Sequence, residues 1–229
     1  MMFAQKPAVC VWELTLACTA RCVYCGSDAG RSRANELSPA EALSLCDDLV
    51  RLGVPAVTLS GGEPLLRADW PDIARRLTAG GAKVDMISNG LALDGRAAGE
   101  AARAGLSSVT LSVDGPEAVH DRLRGVEGSF ARVLEAARAV REAGLPVGAA
   151  TSVSAWNVEH LGELEGILAA AGFGGWQIQL VDRLGRCEGR PDLPLAPGRA
   201  AEVHEFVLAA GRRGRIPVYA ADNVGWMTP

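Results

Sequence analysis

Six short apolar runs alternate with longer amphipathic ones along the chain. AVCVWELT (8–15), AVTLS (56–60), KVDMIS (83–88), SVTLSV (108–113), VGAATSV (147–153) and WQIQLV (176–181) are rich in Val, Ile, Thr and Trp and read as strands. Most are too apolar to be half-exposed, which predicts parallel strands covered on both faces. The runs between them read as helices. SPAEALSLCDDLVRLG (38–53) has Ser38 as N-cap, Pro39 in the first turn, Glu41 completing a capping box, and Gly53 as the stop. DWPDIARRLTAGG (69–81) repeats the design with Asp69 and Pro71. Helices are also predicted over 95–105, 129–144, 157–172 and 198–213, the last leading to IPVYA (216–220).

Helix after helix ends in Gly before the next strand, as such connections prefer. Six strand–helix units in series, wound by right-handed crossovers, predict a partial (β/α)6 TIM-like barrel of parallel strands with outer helices. Residues 216–220 offer a seventh strand. No linker divides the chain, so 1–229 reads as one core domain. RLGRCEGRPDLPLAPGR (183–199) is a long irregular connection expected at the rim. Ligands of such folds sit at the carboxyl ends of the strands. There the sequence places TLACTARC, SGGEP, SNG, SVDGP and TSVSAWN, which predicts one shared polar face.

Bulk properties narrow the class. Hydrophobic residues at 48% and charged ones at 22% are ordinary for a globular protein. A net charge of −4 gives no nucleic-acid footprint. No run approaches the ~18 apolar residues of a membrane span. The start, MMFAQKPAVCVWELTL, lacks the pattern of a signal peptide, so a cytoplasmic protein is expected. In that reducing setting, six cysteines point to metal ligands or buried thiols rather than disulfides.

Cys18, Cys22 and Cys25 stand in the loop after the first strand, spaced C-x3-C-x2-C. A disulfide leaves one of them idle. Structural zinc usually takes four ligands from two clusters, and no second cluster accompanies these; His120, His160 and His204 are isolated. An iron–sulfur cluster fits better: four thiolates normally hold four irons, and three leave one iron open for chemistry. In SGGEP, Gly61 and Gly62 permit a tight turn and close backbone approach, Glu63 is an acceptor for a cationic amine or a brace for the turn, and Pro64 fixes the exit.

The run Cys18, Cys22, Tyr24, Cys25, with its aromatic residue before the third cysteine, resembles the signature of the radical S-adenosylmethionine (radical SAM) family. SGGEP (60–64) is similar to that family's strand-two motif, and the strand–helix order agrees over essentially the whole chain. The resemblance implies that the three thiolates bind a [4Fe–4S] cluster and that SAM chelates the fourth iron. One electron then cleaves SAM to methionine and a 5′-deoxyadenosyl radical, which abstracts a substrate hydrogen atom. It implies SAM contacts at Tyr24, Gly61, Gly62, Glu63 and Pro64. It adds Ser88 and Asn89 near the ribose, Ser112 on strand four, and an arginine before glycine, here Arg124 in HDRLRG (120–125), on the SAM carboxylate. Thr151 and Ser152 are expected at the edge of the adenine or ribose. Cys10 and Cys46 are expected as buried thiols and Cys187 as an inert one.

VWELTLACTARCVYCGSDAG, LSVDGPEAVHDRLRG and DNVGWMTP resemble the branch of the family with a C-terminal SPASM or twitch extension, rich in peptide maturases. No extension cysteines follow about residue 220, which reads as a truncation or a compact enzyme. The main expectation is hydrogen abstraction from a ribosomally made peptide, with a reductant such as flavodoxin or ferredoxin. The alternatives are a haem, cofactor or small-molecule enzyme, and a non-catalytic metal-binding module. No nucleic-acid or membrane partner is expected.

Overall fold

The apolar runs become one parallel sheet. In the computed structural model, which describes residues 7–224, the strands are β1 (Cys10–Glu13), β2 (Ala56–Ser60), β3 (Lys83–Ser88), β4 (Ser108–Ser112), β5 (Val147–Val153), β6 (Trp176–Leu180) and β7 (Val218–Ala220). They lie in chain order and every neighbouring pair is parallel, so the sheet is a seven-stranded half-barrel. The seventh strand offered by 216–220 is present. The part of DNVGWMTP beyond Val224 lies outside the described residues.

Among the described residues seven helices connect the strands: α1 (Pro39–Arg51), α2 (Trp70–Ala79), α3 (Gly95–Arg103), α4 (Glu117–Arg124), α5 (Ser129–Glu142), α6 (Leu161–Ala170) and α7 (Ala200–Arg213). α1 starts as its sequence dictates, with a capping box closed between Ser38 and Glu41. α2 does not: the Asp69 carboxylate leaves the helix end and takes a two-pronged bond from Arg67, at 2.7 and 2.8 Å. α6 starts at Leu161, after a 3₁₀ turn over Val158–His160, because the side chain of Asn157 is engaged elsewhere. No helix among the described residues is long and apolar enough to cross a membrane.

The strands are covered on one face, not two. Val57, Leu59, Val84, Met86, Val109 and Leu111 point at the helices and are fully buried. Each such residue contributes about 1.5–3 kcal/mol by leaving water. The alternate residues, among them Thr58, Ser60, Thr110 and Ser112, line the concave face and are only half-buried. The half-barrel is open between β1 and β7, which do not pair, so this face keeps small and polar side chains.

A second, smaller core lies apart from the main one. It holds Leu123, Val181, Cys187 and Leu193, with Val23, Tyr24, Val119 and Trp156 packed against it. It joins α4, the cysteine loop and the 183–193 connection at the carboxyl end of the barrel.

Candidate iron–sulfur and SAM site

The cysteine loop leaves β1 and folds back over the strand ends. Leu14 N bonds Ser60 O at 3.0 Å, Gly62 N bonds Thr15 O at 2.7 Å, and Glu63 N bonds Ala17 O at 2.8 Å. These bonds stitch the loop to the SGGEP turn. Glycines from three other segments close on the same loop. A Cβ at Gly61 stands 2.4 Å from Thr15 O, at Gly62 2.4 Å from Ala17 O, at Gly125 2.6 Å from Arg21 O, and at Gly185 2.4 Å from Cys25 O.

Cys18, Cys22 and Cys25 line one cavity of about 550 Å³ at the carboxyl end of the barrel. Tyr24, Gly61, Gly62, Ser88, Asn89 and Ser112 line it too, as do Arg124 and Ser152. Each cysteine sulfur faces one N–H: Arg124 Nη1 donates to Cys22 Sγ at 3.1 Å, Asn89 Nδ2 to Cys18 Sγ at 3.6 Å, and Ala29 N to Cys25 Sγ at 3.4 Å. N–H donors aimed at sulfur suit thiolate ligands and tune the cluster they hold. Among the described residues no three Cys, His, Asp or Glu side chains converge on a single metal ion. The three thiols share one cavity, each with its own N–H donor, as the thiolate ligands of a cluster would need. The donor set thus fits an iron–sulfur cluster.

Glu63 and Pro64 lie behind the cavity wall. The Glu63 carboxylate is fully buried and accepts from Leu65 N, Ser88 Oγ and Asn89 N at 3.2, 2.9 and 2.8 Å. It braces the turn. Burial pushes its carboxyl up to about 6, against the pull of the Asn89, Ser88 and Leu65 donors. Thr151 faces away from the cavity. Its hydroxyl donates to Val113 O and accepts from Trp176 Nε1 at 2.8 Å, because alternation along β5 sends Ser152 inward and Thr151 toward the helices.

Arg124 is not a loop charge. Residues 117–124 form α4, started after Pro116 and ended by Gly125 in the left-handed conformation, and Arg124 is only 8% exposed. Its Nε lies 2.9 Å from Asp114 Oδ2, off the axis of a hydrogen bond. The Tyr24 hydroxyl donates to the same oxygen at 2.5 Å, and Ser152 N donates to Asp114 Oδ1 at 3.0 Å. Asn157, also buried, donates to Asp114 O at 2.7 Å and Ser152 O at 3.0 Å. Burial works to lower the pKa of Arg124, the charge of Asp114 outweighs it, and the guanidinium stays cationic. Cys10 is half-buried, whereas Cys46 and Cys187 are buried. Burial pushes the Cys46 thiol up to about 11.

His120 supports this network from below. Its Nδ1 accepts from Asp114 N at 3.1 Å, its ring packs edge-on to Phe130, and Asp114, Asp121 and Arg124 surround it. Burial, then Arg124, lowers its pKa from 6.5 to about 4. The unfolded chain therefore takes up the proton first as pH falls. Stability from this residue is complete above pH 6.5 and is lost toward pH 4, by about 3 kcal/mol. Asparagine can accept the same backbone bond without titrating. Urea unfolding of the cluster-free chain at pH 7 and pH 5 should show a smaller loss for His120→Asn than for the unaltered chain; equal losses would refute this role.

Comparison with known proteins places the chain. Residues 12–167 match the model of the radical SAM superfamily. The AdoMet-dependent heme synthase of Methanosarcina barkeri is 37% identical over 159 residues, 69% of this chain and 46% of that protein. The mycofactocin maturase MftC of Mycolicibacterium smegmatis is 33% identical over 170 residues, 73% of this chain and 43% of that protein. The chain spans about half the length of the curated relatives it matches. Streptococcus suis SuiB, in its crystal structure bound to the precursor peptide SuiA, has the same fold: TM-score 0.81 at 15% identity, over 94% of this chain and 49% of that one.

Proposed function

Because the chain belongs to the radical SAM superfamily, we propose that it binds a [4Fe–4S] cluster through Cys18, Cys22 and Cys25 and, with SAM, abstracts a hydrogen atom from a peptide. The carrying observation is the single cavity in which each of the three cysteine sulfurs faces its own N–H donor. When bound, the cluster and SAM supply a 5′-deoxyadenosyl radical. The chain's own residues hold and shield that chemistry. Gly61 and Gly62 bring bare backbone to the cavity wall for the methionyl amine, with Glu63 bracing the turn from behind. Ser88, Asn89 and Ser112 offer hydrogen bonds from two neighbouring strand ends, and Arg124 offers a cation to the SAM carboxylate. Residues 1–229 act as one core domain, in the cytoplasm, fed electrons by a flavodoxin- or ferredoxin-like reductant. Six free thiols suit such a compartment.

A peptide substrate is supported by the maturase relative and by the shared fold with SuiB, a protein seen with its precursor peptide. The higher identity to a heme synthase favours a second reading, a haem-type or other small-molecule substrate. Anaerobically reconstituted protein, reduced with dithionite and given SAM, tests both. Deoxyadenosine should form, and form faster with the substrate class the enzyme uses, precursor peptide or iron porphyrin. A full cluster that never yields deoxyadenosine would leave only a metal-binding module.

Arg124→Lys keeps the charge opposite Asp114 and loses the planar fork. Equilibrium dialysis against the reconstituted variant should show SAM binding weakened about tenfold, the effect of ~1.4 kcal/mol. Unchanged affinity would remove Arg124 from the SAM carboxylate.

A further inference from the structure

The connection after β6 does not wander across the rim; it is folded onto the cysteine loop. Arg186 spans that loop. Its Nε donates to Cys22 O at 2.8 Å, and its Nη1 donates to Ala29 O at 2.8 Å and Asp28 Oδ1 at 2.9 Å. Its backbone N–H donates to Cys25 O at 3.0 Å. The loop's own bonds in this stretch, Cys25 N to Cys22 O and Asp28 N to Cys25 O, are longer at 3.3 and 3.2 Å. One residue therefore holds carbonyls on both sides of Cys25.

The approach is built in from both ends. Gly185, at φ +55, brings the backbone so near that a Cβ would meet Cys25 O and Gly26 O at 2.4 Å. On the other side, Cys187 and Leu193 are buried in the second core with Leu123 and Val181, which anchors the segment independently of the barrel. The pair with Asp28 is exposed on the aspartate side and contributes little. The bonds to the carbonyls need donors pointing two ways from one plane, which a guanidinium has and an ammonium lacks.

We propose that Arg186 is a positioning residue for the iron–sulfur cluster: it fixes the 22–29 turn and so the directions in which the Cys22 and Cys25 sulfurs point. This rests on the cluster reading above. Arg186 touches neither sulfur and acts through the backbone that carries them.

The test compares the unaltered chain with Arg186→Ala, Arg186→Lys and Arg190→Ala, all reconstituted anaerobically. Arg190 sits in the same connection but stacks on Trp156 and pairs with Asp192. Iron release to a ferrous chelator and the electron paramagnetic resonance of the reduced cluster are read on each. Release from Arg186→Ala should be about ten- to a hundredfold faster, the range for losing a group that orients a metal ligand. Its resonance should shift or broaden, with Arg186→Lys in between and Arg190→Ala unchanged. The melting temperature of the cluster-free Arg186→Ala chain should stay close to that of the unaltered chain. Identical release and spectra for Arg186→Ala, or an equal loss in Arg190→Ala, would overturn the proposal. If Arg186→Ala does not fold, Arg186→Lys decides: a spectrum and release rate like those of the unaltered chain overturn it. If the unaltered chain itself binds no iron, the cluster reading has failed instead.

Discussion

Cys22→Ala should bring bound iron in reconstituted protein from about four per chain to nearly none, and deoxyadenosine formation with it. Cys22 is the central ligand of the three and the one whose sulfur meets the buried guanidinium of Arg124. Two remaining thiolates would have to hold a cluster whose third corner faces a methyl group and a guanidinium nitrogen that has lost its acceptor. Cys46→Ala is the matched control. That thiol is fully buried under α2, near the Ile73 carbonyl and far from the cavity. Its loss should lower stability by about 1 kcal/mol, as small core truncations do, and leave iron and SAM cleavage intact. A Cys22→Ala protein that kept a full complement of iron and sulfide would show the ligand assignment to be wrong.

Gly61→Ala should damage the fold and the site together. Gly61 has φ +133, a region that side-chain-bearing residues rarely adopt, and its Cβ would lie 2.4 Å from Thr15 O and 3.3 Å from Leu14 N. Backbone strain of about 1–3 kcal/mol adds to an overpacking cost of similar size. Neither clash can be relieved by turning a side chain, because the obstructing atoms are backbone. The sum is a large part of the 5–15 kcal/mol that typically holds a domain together. Denaturant titration of the cluster-free chain should register a loss of about 3–5 kcal/mol. Gly166→Ala should go the other way. Gly166 lies within α6 with nothing near its missing Cβ, so alanine should raise stability by about 1 kcal/mol. Equal effects at the two positions would mean that contact with the cysteine loop is not what Gly61 provides.

The fold was largely legible because its strands carry local signals. Runs such as AVTLS and SVTLSV supplied every parallel strand of the sheet. What periodicity missed was α4. It is short, and two of its inward positions are His120 and Arg124, so an apolar pattern reads it as a polar loop. The start after Pro116, the cations in its last turn and Gly125 at its end were the signals that remained. Coverage of both sheet faces was overestimated at Thr58 and Thr110, since composition does not say whether a barrel closes.

The site divides the same way. The cysteines and SGGEP are contiguous and could be read. Asp114 and Arg186 could not be read for what they do. Tyr24 meets Asp114 across 90 positions, and Arg186 meets Cys22 across 164, so each role exists only once the chain is folded. Thr151 and Ser152 illustrate the limit at one residue's resolution: register along β5, not residue type, sends one to the cavity and the other to the core.

The crowding of Gly61, Gly62, Gly125 and Gly185 around residues 15–26 has a consequence for transplantation. A synthetic peptide carrying C-x3-C-x2-C would have the right ligands and none of the mould that shapes them. Grafted into another scaffold, it would need bare backbone at four positions scattered over more than a hundred residues before its thiols faced one cavity. The smallest portable unit of this site is therefore the half-barrel itself.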